Sequence, residues 1–158
     1  MDFIPKQLRE QWAPVVGNFI IEFGHIESAV KEVIRLSVSP SQFEVLRSLN
    51  FSKQADLARA ALKDWNAESF QSIEDAFSKI NDIAKRRNIV AHNGFSISVY
   101  ESKDGEGMRY EVGMTTAYKA KDIFLQIKDL KLDTDSLVEI HEKIVDWIPR
   151  NRYESSQS

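Results

Sequence analysis

Between Trp12 and Ser37 the apolar residues Val16, Phe19, Ile20, Phe23, Ile26, Val30, Val33 and Ile34 recur at spacings of three and four. That is the period of a helix with one buried face, and a strand, whose faces alternate, cannot carry it. The stripe therefore predicts a long amphipathic helix over Trp12 to Ser37. Pro14 fits only near its start, where a missing amide donor does least harm. Ser39-Pro40-Ser41 breaks the chain before a second helical region with Phe43, Leu46, Leu49, Leu57, Ala60, Ala61, Leu62 and Trp65, divided near Asn50. A third helix is expected from Ala67 or Glu68, with Phe70, Ile73, Phe77, Ile80, Ala84 and Ala91 on one stripe and Ile83 and Val90 beside it. Asn93-Gly94 is its expected stop, since both residues tolerate the left-handed conformation.

Beyond Gly94 the period changes to two. Phe95, Ile97 and Val99 alternate with polar partners, as do Tyr110, Val112 and Met114, and Lys103-Asp104-Gly105-Glu106-Gly107 reads as the turn between them. Ile123, Phe124, Leu125, Ile127, Leu130 and Leu132 fit either a short helix or another strand, so residues 120–132 stay open. Asp133 or Thr134 is expected to cap a last helix through Leu137, Ile140, Ile144, Trp147 and Ile148, ended by Pro149. The fold class expected is mainly α, an antiparallel helical bundle with a β-hairpin inserted before the C-terminal helix. At 158 residues the chain has room for one core, read as a single domain over residues 1–149 with a disordered tail over 150–158.

Composition narrows the chemistry. With no cysteine, disulfides, thiolate nucleophiles and cysteine-based zinc sites are excluded. His25, His92 and His141 lie far apart with no HxxxH pair, so neither a metal nor a cofactor is expected. The opening residues show no secretory pattern and no segment is apolar enough to span a bilayer, which predicts a cytoplasmic protein without a membrane partner. The formal charge is −3, whereas proteins that bind nucleic acid through their overall field are usually basic. Any contact with RNA must then be local.

On a wheel of about 100° per residue the third helix centres its apolar arc on Ile73, Ala76, Ile80, Ile83, Ala84 and Val90, and Arg87 falls within it. A guanidinium there needs a carboxylate or a bound anion. Asn88 and His92, four residues apart, share the edge of that arc. Glu27 interrupts the apolar stripe of the first helix and is the expected counterion of Arg87. Lys85 and Arg86 are candidates for guiding RNA phosphate, although short charged runs usually face solvent. His25 reads as a surface residue, His141 as a packing residue, and Trp12, Trp65 and Trp147 as core or interface anchors.

Arg87-Asn88-Ile89-Val90-Ala91-His92 resembles the RNxxxH form of the Rx4-6H motif of HEPN domains, set late in a helix of an all-α bundle. The resemblance spans the scaffold from Trp12 to Ile148, with the hairpin as an insertion. It implies a metal-independent endoribonuclease whose site forms where two motifs face each other across a homodimer, with Arg87, Asn88 and His92 as its catalytic set. Such domains are effectors in toxin–antitoxin, abortive-infection and antiviral defence systems, so an antitoxin or a larger defence complex is an expected partner besides RNA. Gly94 stands where HEPN toxins paired with nucleotidyltransferase antitoxins carry a tyrosine, so control by adenylylation has no hydroxyl there. Two rival expectations stand beside it. One is a catalytically silent HEPN module that binds nucleotide or acts as a dimerising scaffold; the other is the neutralising partner in a toxin–antitoxin pair.

Overall fold

The structure, a computed structural model, describes residues 6–93, 95–101, 108–115 and 124–155. Helix α1 covers Lys6–Ser37. It starts ahead of the expected Trp12 and takes Pro14 into its interior. The missing proline amide leaves the carbonyl of Glu10, an exposed residue, to water instead of to the helix. The buried face is Trp12, Phe19, Phe23, Ile26, Val30 and Val33, whereas Ile20, expected on the stripe, is 38% exposed.

Polar caps then set the breaks. Ser39 and Gln42 form a reciprocal capping box at the start of α2 (Pro40–Leu46). Asn50 caps α3 (Phe51–Trp65), its side chain accepting from the Lys53 amide at 3.0 Å. The divide expected near Asn50 is thus a cap. Gln54, only 3% exposed, stitches the α2–α3 turn by donating to the carbonyls of Arg47 (2.8 Å) and Leu49 (3.0 Å). A single extended residue, Asn66, ends α3 and caps α4 (Ala67–His92). Asn93 then stops α4 in an extended conformation (φ −122°, ψ 146°), not a left-handed one. Its side-chain amide donates to the Ile89 carbonyl at 3.0 Å, which supplies the partner a left-handed turn would have given. Gly94 lies outside the described residues.

Strands β1 (Phe95–Glu101) and β2 (Met108–Thr115) pair antiparallel from Phe95↔Met114 to Glu101↔Met108. The turn expected at residues 103–107 lies outside the described residues. Residues 120–123 of the open segment lie outside the described residues, and the rest contains both elements: a two-residue strand β3 (Phe124–Leu125) beside β2, and then the start of α5 (Ile127–Ser155). Gly113 allows that approach, since a Cβ there would come within 2.5 Å of the Phe124 ring and 2.6 Å of the Leu125 carbonyl oxygen. Met114 and Leu125 anchor the sheet to the core.

Helix α5 departs from expectation at both ends. It begins before Asp133 and Thr134, and the Thr134 hydroxyl donates to the Leu130 carbonyl at 2.7 Å inside the helix. Asp129 instead accepts the Gln126 amide at 2.8 Å. It also runs through Pro149 to Ser155, into the tail expected to be disordered. Proline removes one bond, to the carbonyl of Val145, a residue 45% exposed, so water can take the donor's place. Residues 156–158 of that tail lie outside the described residues.

Helix α1 packs against α3 and α5, and α4 closes the ring between them. The mainly α bundle with a hairpin before the last helix is therefore the fold. Phe19, Ile26, Leu62, Phe77, Leu137 and Ile144 are the fully buried centre. Leu57 and Leu132, counted among the apolar positions, face outward at 37% and 65% exposure. Among the described residues no helix is long and apolar enough to cross a membrane.

One ion pair ties α4 to α5. Arg86 Nε and Nη2 donate to Asp133 Oδ2 and Oδ1 at 2.5 and 2.6 Å, a bidentate pair in which the carboxylate is nearly buried. The hydrogen bond to Asp133 raises the Arg86 pKa further above its ordinary value. A raised cation loses its contribution only above the normal arginine range, so a rise in pH through the physiological range leaves the tie intact. Removing one partner strands the other in poor solvent. Asp133→Ala is expected to cost roughly 2–4 kcal/mol, somewhat less than for a fully buried pair because Arg86 retains some water. A urea or thermal melt checks this, and a stability within error of the parent would show the pair to be dispensable.

Candidate active site

Helix α4 presents Asn81, Ala84, Lys85 and Asn88 at spacings of three and four, with Arg87 beside the row. Opposite them stand Phe23 and Glu27 of α1, and Asn50 and Phe51 where α3 begins. Together they enclose a cleft of about 510 Å³. The cap at Asn50 matters here, because it starts α3 at the cleft's edge and turns Phe51 toward Phe23, with ring centroids 4.9 Å apart and planes tilted by 59°.

Arg87 is the centre of this arrangement. Its Nη2 lies 3.6 Å from Glu27 Oε1, so the two residues that interrupt their helices' apolar stripes face each other. The side chains are 34% and 30% exposed. At 3.6 Å the pair balances charge without being a hydrogen bond, and partly exposed pairs of this kind contribute only about 0–1 kcal/mol. The guanidinium carbon stands 5.5 Å from the centroid of the Phe23 ring, within cation–π range. Arg87 Nη1 donates to Asn88 Oδ1 at a long 3.3 Å. A guanidinium has five donors. Positioned by a ring and a distant carboxylate, it retains capacity for a two-point contact with an anion.

The other sequence candidates fall in three places. Lys85 lines the cleft and, largely exposed, donates to Asp82 at 2.8 Å. That bond, with the lysine's charge behind it, holds the Asp82 carboxyl below its ordinary range. Arg86, expected to guide RNA, faces α5 and is engaged by Asp133, so it is not offered to the cleft. His92 is exposed at the last position of α4, one turn beyond Asn88 and about 6 Å along the axis. It does not line the cleft, and among the described residues its imidazole has no hydrogen-bond partner. His25 sits on the surface 3.1 Å from Glu22, with its ring 5.5 Å from that of His141. Among the described residues no three metal-ligating side chains gather to hold an ion.

Comparison of the chain with family models, curated proteins and solved structures finds no match in any of the three. What the site can do rests on its own residues. Arg87, Asn88, Glu27 and Lys85 are drawn together; His92 shares their helix at the open end. Asn50, Phe51 and Asn81 are cleft residues that pattern reading passes over. Asn81 carries the one available signal, since Asn81, Lys85, Asn88 and His92 follow one another at spacings of four, three and four along a single face.

Proposed function

We propose that the protein is a metal-independent endoribonuclease of the HEPN type, acting as a two-fold dimer in the cytoplasm as a toxin or defence effector. The observation that carries this reading is the state of Arg87: a half-exposed guanidinium, charge-balanced at 3.6 Å and held over an aromatic ring, with an amide beside it and an exposed imidazole one turn further on. Such a group is disposed to take a phosphate.

The reaction follows from the residue types. The 2′-hydroxyl oxygen of the RNA attacks phosphorus and the bond to the 5′-oxygen breaks. A base takes the hydroxyl proton and an acid supplies one to the departing oxygen. The products are a 2′,3′-cyclic phosphate and a 5′-hydroxyl. Arg87 stabilises the negative charge that builds on the phosphoryl oxygens, Asn88 orients the phosphate or the imidazole, and His92 moves a proton. One imidazole cannot readily serve both transfers at once, so a second copy of α4's end supplies the other.

The position of His92 outside the cleft favours one alternative, a silent module that binds nucleotide in the cleft without cleaving. Incubating the pure protein with mixed RNA and a chelator, then analysing the ends, separates the two. Cyclic phosphate and 5′-hydroxyl ends that vanish in His92→Ala support the nuclease. Intact RNA, or cleavage that needs added metal, overturns it.

A further inference from the structure

The solvent-facing side of α1 is unlike that of a free helix. On a wheel of about 100° per residue it runs from Glu10 to Lys31 through Ala13, Gly17, Ile20, Ile21, Gly24 and Ser28. No charge stands between those two ends, since Glu22 and Glu27 fall to the sides. In a chain with 28% charged residues an exposed helix face normally carries charge. Ile20 and Ile21 stand 38% and 57% exposed at its middle. Gly17 and Gly24 flank them, and a Cβ on either would meet nothing within 4 Å. The fold makes no use of their small size, although glycine weakens a helix interior. A second backbone approaching from outside would use it. Helix α5 widens the patch. The His25 ring lies 5.5 Å from that of His141, and Val138 and Val145, one turn to either side of His141, are 39% and 45% exposed. Four of the seven exposed large apolar side chains among the described residues thus share one face, and such a patch marks an interaction site.

We infer that this face binds a second copy of the chain, with α1 crossing its counterpart antiparallel about a two-fold axis between Ile20 and Ile21. In that register the face complements itself. Gly17 lies across from Gly24 of the second copy, Ala13 from Ser28 and Glu10 from Lys31, so small residues meet along the crossing and opposite charges close both ends. Ile20 and Ile21, beside the axis, each meet their own copy, as an isologous contact requires. A parallel crossing would instead set Glu10 against Glu10 and Lys31 against Lys31. The match of charge between the face and its own reverse singles out a second copy as the occupant. The inference is independent of the ribonuclease reading, which asks for a contact at the end of α4. A chain using both contacts forms a tetramer.

The chain has no cysteine, so introduced thiols report the register directly. A disulfide forms only where two Cα atoms come within about 7 Å. Under mild oxidation Ile21→Cys is expected to give a covalent dimer, and Gly17→Cys mixed with Gly24→Cys a covalent heterodimer. Ser28→Cys alone, about 11 Å from the axis, is expected to run as a single chain on a denaturing gel. Ile21→Glu is expected to halve the mass measured by light scattering at micromolar concentration. Its circular dichroism should match the parent, because the side chain faces solvent in the single chain, and RNA cleavage should be unchanged, because neither the cleft nor the end of α4 is altered. Glu10→Lys and Lys31→Glu are each expected to weaken self-association by about 2- to 10-fold and, combined in one chain, to restore it. A monomer at micromolar concentration, a mass that Ile21→Glu leaves unchanged, or cross-linking of Ser28→Cys as efficient as that of Ile21→Cys overturns the inference. A chain that passes these tests and cuts no RNA defeats only the ribonuclease reading. Cleavage by a chain that fails them defeats only this contact.

Discussion

Replacing Arg87 with lysine is expected to lower RNA cleavage nearly as far as replacing it with alanine, by about 10²–10³ in rate, the loss typical of removing one donor to a transition-state anion. The two cations differ in shape more than in charge. A guanidinium is planar and meets two phosphoryl oxygens through parallel N–H bonds, whereas an ammonium is a point charge with no fixed fork. The setting of Arg87 accentuates the difference. Its guanidinium carbon stands 5.5 Å from the centroid of the Phe23 ring, and Glu27 at 3.6 Å attracts it from one side. A lysine keeps the charge beside Glu27 and loses the planar, two-point donor set. Initial rates on a fluorescent RNA, with melting curves to verify folding, measure the effect. Full activity in Arg87→Lys would show that charge alone suffices and that the two-point contact plays no part.

How far the molecule can be read from its sequence depends on whether a residue's surroundings come from its own helix. Phe23, Ile26 and Val30 on α1, or Phe77 and Ile80 on α4, are buried by the face their spacing defines, and the stripes reveal them. Arg87 and Glu27 are legible for the complementary reason, as charges interrupting apolar arcs. Arg86 is not. Its neighbour Asp133 lies 47 positions away on another helix, and only the packing of α4 against α5 distinguishes it from a solvent-facing basic residue. Asn81 looks like part of a polar surface, and only the placement of α4 beside α1 and the start of α3 makes it a cleft residue. Pro149 misleads in the opposite sense. The rule that proline ends a helix reflects an average cost, and here the residue left without its donor, Val145, lies on the exposed side of the helix.

These placements bear on what a single chain can accomplish. The cleft lies within one bundle, so on the proposed reading binding of the strand needs no second subunit. Proton transfer is another matter, because His92 is at the exposed end of α4 and is absent from the cleft lining. Binding and cleavage should therefore separate on dilution: a monomer retains affinity for the strand and loses turnover.

A heterodimer of one wild-type chain and one His92→Ala chain is accordingly expected to cleave RNA at far below half the wild-type rate. One scissile phosphate needs a base for the 2′-hydroxyl and an acid for the 5′-oxygen at the same time. If each chain contributes one imidazole, the mixed dimer keeps half of that apparatus, and losing one general acid or base typically costs about 10²–10⁴ in rate. If each chain instead held a complete site, the mixed dimer would retain about half the activity, as uncoupled sites do. The outcomes differ by at least an order of magnitude, well beyond the error of a rate measurement. The mixed dimer is obtained by co-expressing differently tagged chains and purifying through both tags, with assays shorter than the time for subunit exchange. Binding of a short single-stranded RNA serves as the internal control, since both clefts are intact and affinity should match the parent. Half-activity with normal binding would reject the shared site and place both proton transfers within one chain.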